Sequence, residues 1–473
     1  MTPIAAAMDT AELAMGAVVA AMEVGMVANL PTLEHGSDSN DFAWTYRERR
    51  RAYYSQFPAF WGTLPGEKVE EYALYGAIEV SREHASALRI ASSRLYQVMT
   101  RLALVLQQAD DQPLIDIGIP LPTLPCIHII MPTMPAVMCG RFEFAMTAEG
   151  PKLLEFNAET PTFVVELFHI NGQVCADFGL VDPNPHCQQQ LIQAIHSSIN
   201  AGLSWIEPRR NKPGSVVFSA YANRKEERGT AEFYRGLLAA SGDLPYRTSF
   251  CGLHELRVTR EGLFTTDGEQ VDVLYKLYPT EHLMEDEAPD GTPVGLALME
   301  LVRRRRLAVI NPPIAFLLQN KALMALLWAM HMAQSELFTP EEHSWIEQYL
   351  LPTSLSALDT QGEPVYTGPH VVKPVYGREG ASIVIRDQNE IVEQSQQSLY
   401  NHQVMVYQQY AALPTTTIQT ERGLAEAHLV HNCFVTGGIP SAIGVRASHK
   451  LIFDDTSYFL PTCYPRNESL AST

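Results

Sequence analysis

Residues 139–162 read CGRFEFAMTAEGPKLLEFNAETPT, and the fold of the whole chain turns on how this stretch is taken. Aromatic and apolar residues alternate with charged ones on both sides of Thr147-Ala148-Glu149-Gly150, the pattern of two strands joined by a polar turn. A period of two puts Arg141 and Glu143 on one face of the first strand, and Glu155 and Asn157 on one face of the second. Paired, the strands carry two carboxylates, a carboxamide and an arginine on a single sheet face. Oxygen ligands with open positions suit Mg²⁺, which keeps several waters and shares its shell with phosphates. The same pattern also describes a half-buried hairpin whose polar face is simply wet. The stretch alone leaves both readings open.

At 473 residues the chain is long enough for two or three domains. Hydrophobic residues make up 46% and charged residues 18%, an ordinary globular composition. A formal net charge of −19 argues against nucleic acid as a partner, which calls for a basic surface. The cysteines at 126, 139, 175, 187, 251, 433 and 463 are scattered singly, without zinc spacing, as expected of free thiols in a reducing compartment. Residues 4–30 are rich in Ala, Met and Val but lack a basic start, and Asp9, Glu12 and Glu23 interrupt them. They read as an amphipathic helix at the domain surface or a subunit contact, and no apolar run reaches the length of a membrane span. A cytoplasmic protein is expected.

Along the chain, the basic run Arg47-Glu48-Arg49-Arg50-Arg51 reads most simply as a solvated helix face, with its neighbouring aromatics able to line a cleft. Leu88, Leu95, Val98, Met99, Leu102 and Val105 form the apolar stripe of a helix over residues 81–109. CIHIIM, residues 126–131, reads as a buried strand with His128 a core histidine. Residues 188–206 read as a helix, SVVFSAY as a strand, and residues 223–242 as a loop opening a helix. A strand pair with a turn at Thr266-Asp267-Gly268 follows, so residues 215–278 form a small α/β unit. Arg303 to Arg306 end a helix whose dipole they complement.

The last third adds separate signals. Lys321 stands where a loop enters a helix. Lys373 ends an apolar strand before Gly377-Arg378-Glu379-Gly380, a loop able to close its N–H groups over phosphate. VMVYQQYAAL reads as a strand whose exposed backbone suits a flat base, and Arg446 lies on a strand after the hairpin at Gly437-Gly438.

In order, GRFEF, LLEFNAETPT, EERGTAEFYRGL, VDVLYKLYP, NPPIAFLLQNKALMALLW, LLPTSL, VVKPVYGREGASI, VYQQYAALP and SAIGVRAS resemble the synthetase domain of the glutathionylspermidine synthase family, from about Trp44 to the C-terminus. The resemblance implies a mixed α/β, circularly permuted ATP-grasp fold with an inserted small pre-ATP-grasp-like domain and N-terminal helices. It divides the chain into a helical region at 1–110, metal-binding strands at 111–200, a small α/β domain at 201–310 and the lysines, lid and core strands at 311–473. By the same similarity Glu143, Glu155 and Asn157 hold Mg²⁺. Lys321 and Lys373 contact ATP phosphates under a lid of Gly377, Arg378, Glu379 and Gly380, and Gln408 and Gln409 border the adenine. Arg141 and Arg446 stabilise the transferring phosphoryl group, with Arg378 reaching toward them.

The implied activity is ATP-dependent amide formation between a carboxylate donor, peptide or amino acid, and an amine, with a polyamine among the candidates. The alternative is a nucleotide-binding protein that has lost ligation and acts in regulation or assembly. Two departures from the family bear on this: Glu143 replaces the more common Asp, and Tyr278-Pro279-Thr280-Glu281-His282 replaces a Tyr-Pro-Trp-Glu-Trp motif. The family's cysteine amidase domain has no counterpart, and no amidase activity is expected.

Overall fold

The computed structural model describes residues 39–63, 71–207, 213–388 and 390–466, with side chains from Trp44 onward. The segment 4–30 lies outside them. Helix α1 (Ser39–Tyr54) precedes the long helix α2 (Arg82–Leu106), which Ser81 caps by accepting the His84 N–H at 3.1 Å. Leu88, Leu95, Val98, Met99 and Leu102 are buried along α2 as the periodicity requires, whereas Val105 is exposed.

The hairpin then forms as β1 (Cys139–Thr147) and β2 (Gly150–Asn157), antiparallel, with Arg141 opposite Asn157 and Glu143 opposite Glu155. Helix α3 (Cys187–Trp205) leads into a parallel sheet built from β3 (Gly214–Ala220), β4 (Tyr246–Gly252), β5 (Val273–Lys276) and β6 (Ala308–Ile310), in the order β6-β5-β3-β4. Helix α4 (Lys225–Ala240) crosses between β3 and β4, and α5 (Val294–Arg303) precedes β6. After α6 (Ala322–Met332) comes an antiparallel sheet of β7 (Thr353–Ser354), β8 (His370–Pro374), β9 (Val384–Asp387), β10 (Glu390–Gln394) and β11 (Met405–Gln409), ordered β7-β11-β8-β9-β10. The chain finally returns to the hairpin. β13 (Gly423–Thr436) pairs with β1 on one side and β14 (Ile439–Ser448) on the other, β12 (Thr415–Thr420) also pairs with β13, and β15 (Tyr458–Leu460) closes the edge.

Register decides what this sheet presents. Glu143 lies opposite Asn432, and Val430, two residues back on β13, lies opposite Arg446 of β14. Arg446 therefore shares a face with Arg141, Glu143, Glu155 and Asn157, although nearly three hundred residues separate it from them. The opposite face carries Phe142, Phe144 and Phe156, fully or almost fully buried, with the Phe142 and Phe156 rings stacked at 3.8 Å. One face is core and the other is site.

Several expectations are corrected. CIHIIM is not a strand: Leu124–Ile127 is a short helix, and His128 is exposed, bonded to the Gln107 carbonyl and Asp111. The proline-rich flanks favour tight turns there over an extended run. The strand pair at the Thr266 turn is present but shorter than the run suggests: Leu263–Phe264 and Gln270–Val271 pair antiparallel across it, while β4 and β5 on its outer sides join the parallel sheet, on either side of β3. The arginine run of α1 is not wholly solvated, because Arg50 is buried and donates to the Ala73 and Gly62 carbonyls and to Glu421. All seven cysteines are buried and unpaired. Among the described residues no helix is long and apolar enough to cross a membrane.

The core contains an acid-sensitive contact. His431 of β13 is fully buried, stacks on His84 of α2 at 5.2 Å, and neither of its ring nitrogens has a protein partner. Burial first, and His84 second, brings its pKa down to about 3. The neutral ring is compatible with the core and the charged one is not. This contribution is therefore complete above the ordinary histidine pKa and is lost as pH falls from there toward 3. We expect thermal unfolding scans of His431→Phe to show a shallower loss of stability on acidification than the parent, by on the order of a few kcal/mol.

Candidate active site

The carboxyl ends of the parallel strands, the polar face of the hairpin sheet and the antiparallel sheet enclose one cavity of about 700 Å³. Arg141, Glu143, Glu155, Asn157, Lys321, Lys373, Gly377, Arg378, Glu379, Gly380, Gln408, Gln409 and Arg446 all line it. The wet-hairpin reading fails here, because Arg141 and Glu143 are 7% and 6% exposed under this roof.

The floor is an alternating charge chain. Arg141 donates to Glu143 at 2.6 Å and to the Thr162 carbonyl at 2.7 Å, and Arg446 stands 3.7 Å from the same Glu143 oxygen. Asn157 donates to Glu155 at 2.8 Å and to Glu143 at 3.4 Å, so its carboxamide ties the two carboxylates together. Lys321, at the start of α6, pairs with Glu155 at 3.1 Å and donates to the Gly377 carbonyl at 2.9 Å. Burial by itself raises Glu155, but Lys321, Lys373 and the Asn157 hydrogen bond outweigh it and bring the carboxyl down to about 2. Among the described residues no three His, Cys, Asp or Glu side chains gather as a metal-holding group. The hairpin offers two carboxylates and one carboxamide.

Lys373 is buried on β8 and donates to the Leu154 carbonyl at 2.6 Å and to the Gln408 carboxamide at 2.7 Å. Desolvation, then repulsion from Lys321, lowers its pKa to about 7. Gln408 is engaged beneath the cavity with Lys373 and the Leu153 carbonyl, while Gln409 is exposed and its N–H donates to the Pro352 carbonyl.

The glycine loop sits closed over the cavity. Gly380 has φ +71°, and a Cβ there would lie 2.6 Å from the Phe453 carbonyl oxygen, so only glycine allows the loop this close. Arg378 does not lie against Arg141 and Arg446 as expected. Its guanidinium donates to Glu281 at 2.9 Å and to Thr160 at 2.8 Å, with Glu159 4.0 Å away. Charge explains the difference: Glu281 and Glu159 offer the loop arginine two anions, while Arg141 and Arg446 repel it.

Sequence reasoning missed the network behind this latch. Lys276 donates to Glu159 at 2.7 Å, to the Tyr278 carbonyl and to Thr280, whose hydroxyl also donates to Glu159. Both charges are under 5% exposed, and removing one partner of such a pair costs about 3–5 kcal/mol. The signals were a lone lysine in the apolar strand VDVLYK and a glutamate continuing the alternation two residues beyond Asn157.

An α/β architecture with a charged sheet floor, buried lysines and a glycine-loop lid defines an ATP-grasp-type fold, here with the hairpin ahead of the lysines. Residues 45–464 match the family model described as glutathionylspermidine synthase pre-ATP-grasp, and the chain belongs to that family. It is 24% identical over 338 residues, covering 68% of this chain and 73% of the relative, to a Haemophilus influenzae protein provisionally named an acid–amine ligase. A glutathione synthetase-like effector from Globodera pallida superposes with a TM-score of 0.59 at 10% identity, over 92% of this chain and 99% of that one, a likeness of fold.

Two outcomes follow from this geometry. With its pKa at about 7, Lys373 is mainly neutral at about pH 8, and we expect that an added polyphosphate anion beside it restores the charge, so that pyrophosphate binding at about pH 8 takes up a proton. Calorimetry in buffers of different ionisation enthalpy measures this uptake, which Lys373→Met abolishes. Glu281→Gln weakens the hold on Arg378, and amide hydrogen exchange of residues 377–383 rises by roughly tenfold, about 1.4 kcal/mol.

Proposed function

We propose that this protein is an ADP-forming carboxylate–amine ligase that works through an acyl phosphate. Family membership and the acid–amine ligase relative support ATP-dependent amide ligation in general. What supports the finer reading most is that two arginines, two lysines and the Glu143–Asn157–Glu155 oxygens, drawn from distant parts of the chain, line one lidded cavity. The donor set of two carboxylates and a carboxamide fits Mg²⁺, which would be held by Glu143, Glu155 and Asn157 and would supply positive charge against the phosphates. Glu143 in place of Asp puts its carboxylate one methylene farther out, within reach of both arginines.

Amide formation from a carboxylate needs a better leaving group than oxide. The donor carboxylate attacks the γ-phosphorus of ATP and ADP departs; the amine then attacks the carbonyl carbon and phosphate leaves. The protein's part is positioning and charge neutralisation. Arg141 and Arg446 hold the transferring phosphoryl group, Lys321 and Lys373 the nucleotide phosphates, and the 377–380 loop keeps water from the acyl phosphate. Backbone at Gln408 and Gln409 borders the base. A peptide or amino acid is the donor class, and an amine, with polyamines included, is the acceptor class.

Incubation with ATP, Mg²⁺ and panels of carboxylates and amines is expected to release ADP and phosphate with one pair and to yield an amide. No release with any pair overturns the reading, and tight ATP binding without turnover favours a regulatory nucleotide-binding protein. With the productive pair, Glu155→Gln and Arg446→Ala each lower turnover by roughly 10²–10³-fold.

A further inference from the structure

Glu166 is a buried carboxylate that the ligase reading leaves without a task. It opens the π-helical turn Glu166–Ile170, a rare local geometry that often marks functional positions. The residue is 0% exposed, one carboxylate oxygen accepts the Tyr72 hydroxyl at 2.7 Å, and the other has no protein partner. Among the described residues no lysine or arginine forms an ion pair with it. Tyr72 is among the residues lining the cavity, as are Arg141, Arg446 and Glu226, whereas Glu166, which accepts its hydroxyl, is not.

An aliphatic amine arrives as an ammonium and must lose a proton before its nitrogen can attack. With nucleotide phosphates bound, the arginines and lysines of the floor are all charged, Lys373 included, and cannot take that proton. Resting on the ligase reading above, we propose that Glu166 is the proton acceptor for the attacking amine, reached through the Tyr72 hydroxyl. The ammonium N–H gives its proton to Tyr72 Oη as the Tyr72 hydroxyl proton passes to Glu166. The freed nitrogen pair forms the C–N bond, the C–O bond to phosphate breaks, and its electron pair leaves with the phosphate, which takes the second nitrogen proton. The charges balance: an acyl phosphate dianion, an ammonium and a carboxylate become a neutral amide, hydrogen phosphate dianion and a carboxylic acid.

The surroundings tune Glu166 for this. Burial first, and the Glu226 carboxylate second, lift it to about 8, against the Tyr72 hydrogen bond and the more distant Arg141. Glu226 is itself raised by burial, with Glu379 adding to the shift and Thr162, Arg141 and Arg446 opposing it. An acceptor near the working pH is the most effective kind.

The test compares two acceptors with the donor found in the panel: the best primary amine, protonated at about pH 8, and hydroxylamine, already neutral there. In Glu166→Gln, whose carboxamide still accepts the Tyr72 hydrogen bond but takes no proton, the ratio of amide to hydroxamate formation falls by roughly 100-fold. The kcat–pH profile with the amine loses its acid limb, and KM for the amine changes little. Tyr72→Phe lowers the ratio likewise and stands in should Glu166→Gln not fold. A ratio within about threefold of the parent in either folded variant overturns the proposal. A parent protein that forms neither product with any donor overturns the ligase reading, and this one with it.

Discussion

Two carboxylates and two arginines can share one buried sheet face only if each charge is answered. The hairpin solves this with an unbroken chain of partners: Arg446 and Arg141 against Glu143, Asn157 between the carboxylates, and Lys321 against Glu155. The pairing holds Glu155 ionised despite its enclosure. Such clusters contribute little net stability compared with apolar packing of the same volume, because desolvation offsets most of the attraction. They stand on the wall of a 700 Å³ cavity, and under the proposed ligase function they serve an anionic ligand there.

The scaffold delivers these groups from three directions. The hairpin sheet carries the floor, the antiparallel sheet brings Lys373 and the lid, and the parallel sheet brings its carboxyl ends, where loops are free to meet a ligand. The Glu159–Lys276–Thr280 network fastens the last of these to the floor, immediately beyond Asn157. Arg378 adds the lid to the same network through Glu281 and Thr160. Loop position, hairpin strand and the altered 279–282 segment are thus mechanically joined, and Pro279 and His282 of that segment line the cavity.

Much of this was legible in the sequence because alternation and motif order are local properties. Period-two patterning placed Arg141 with Glu143 and Glu155 with Asn157, and the ordered motifs placed Lys321, Lys373 and the glycine loop in one fold. The errors have local causes too. An apolar run such as CIHIIM cannot declare by composition whether it extends or turns. The arginine run of α1 looked solvated because nothing nearby in sequence reveals Glu421, the distant partner that buries Arg50.

The sequence by itself determined the family, the α/β class and the residues that converge, since these rest on side-chain chemistry and spacing along the chain. Only the tertiary structure decided which charges meet. Cross-strand register put Arg446 on the face of Glu143, and the lid arginine found Glu281 because two anions waited there and two cations repelled it from the floor. Burial of Glu166 beside Glu226 likewise depends on contacts between segments sixty residues apart. Coulomb forces act through space at a few ångströms, and distance in space is what a sequence does not carry.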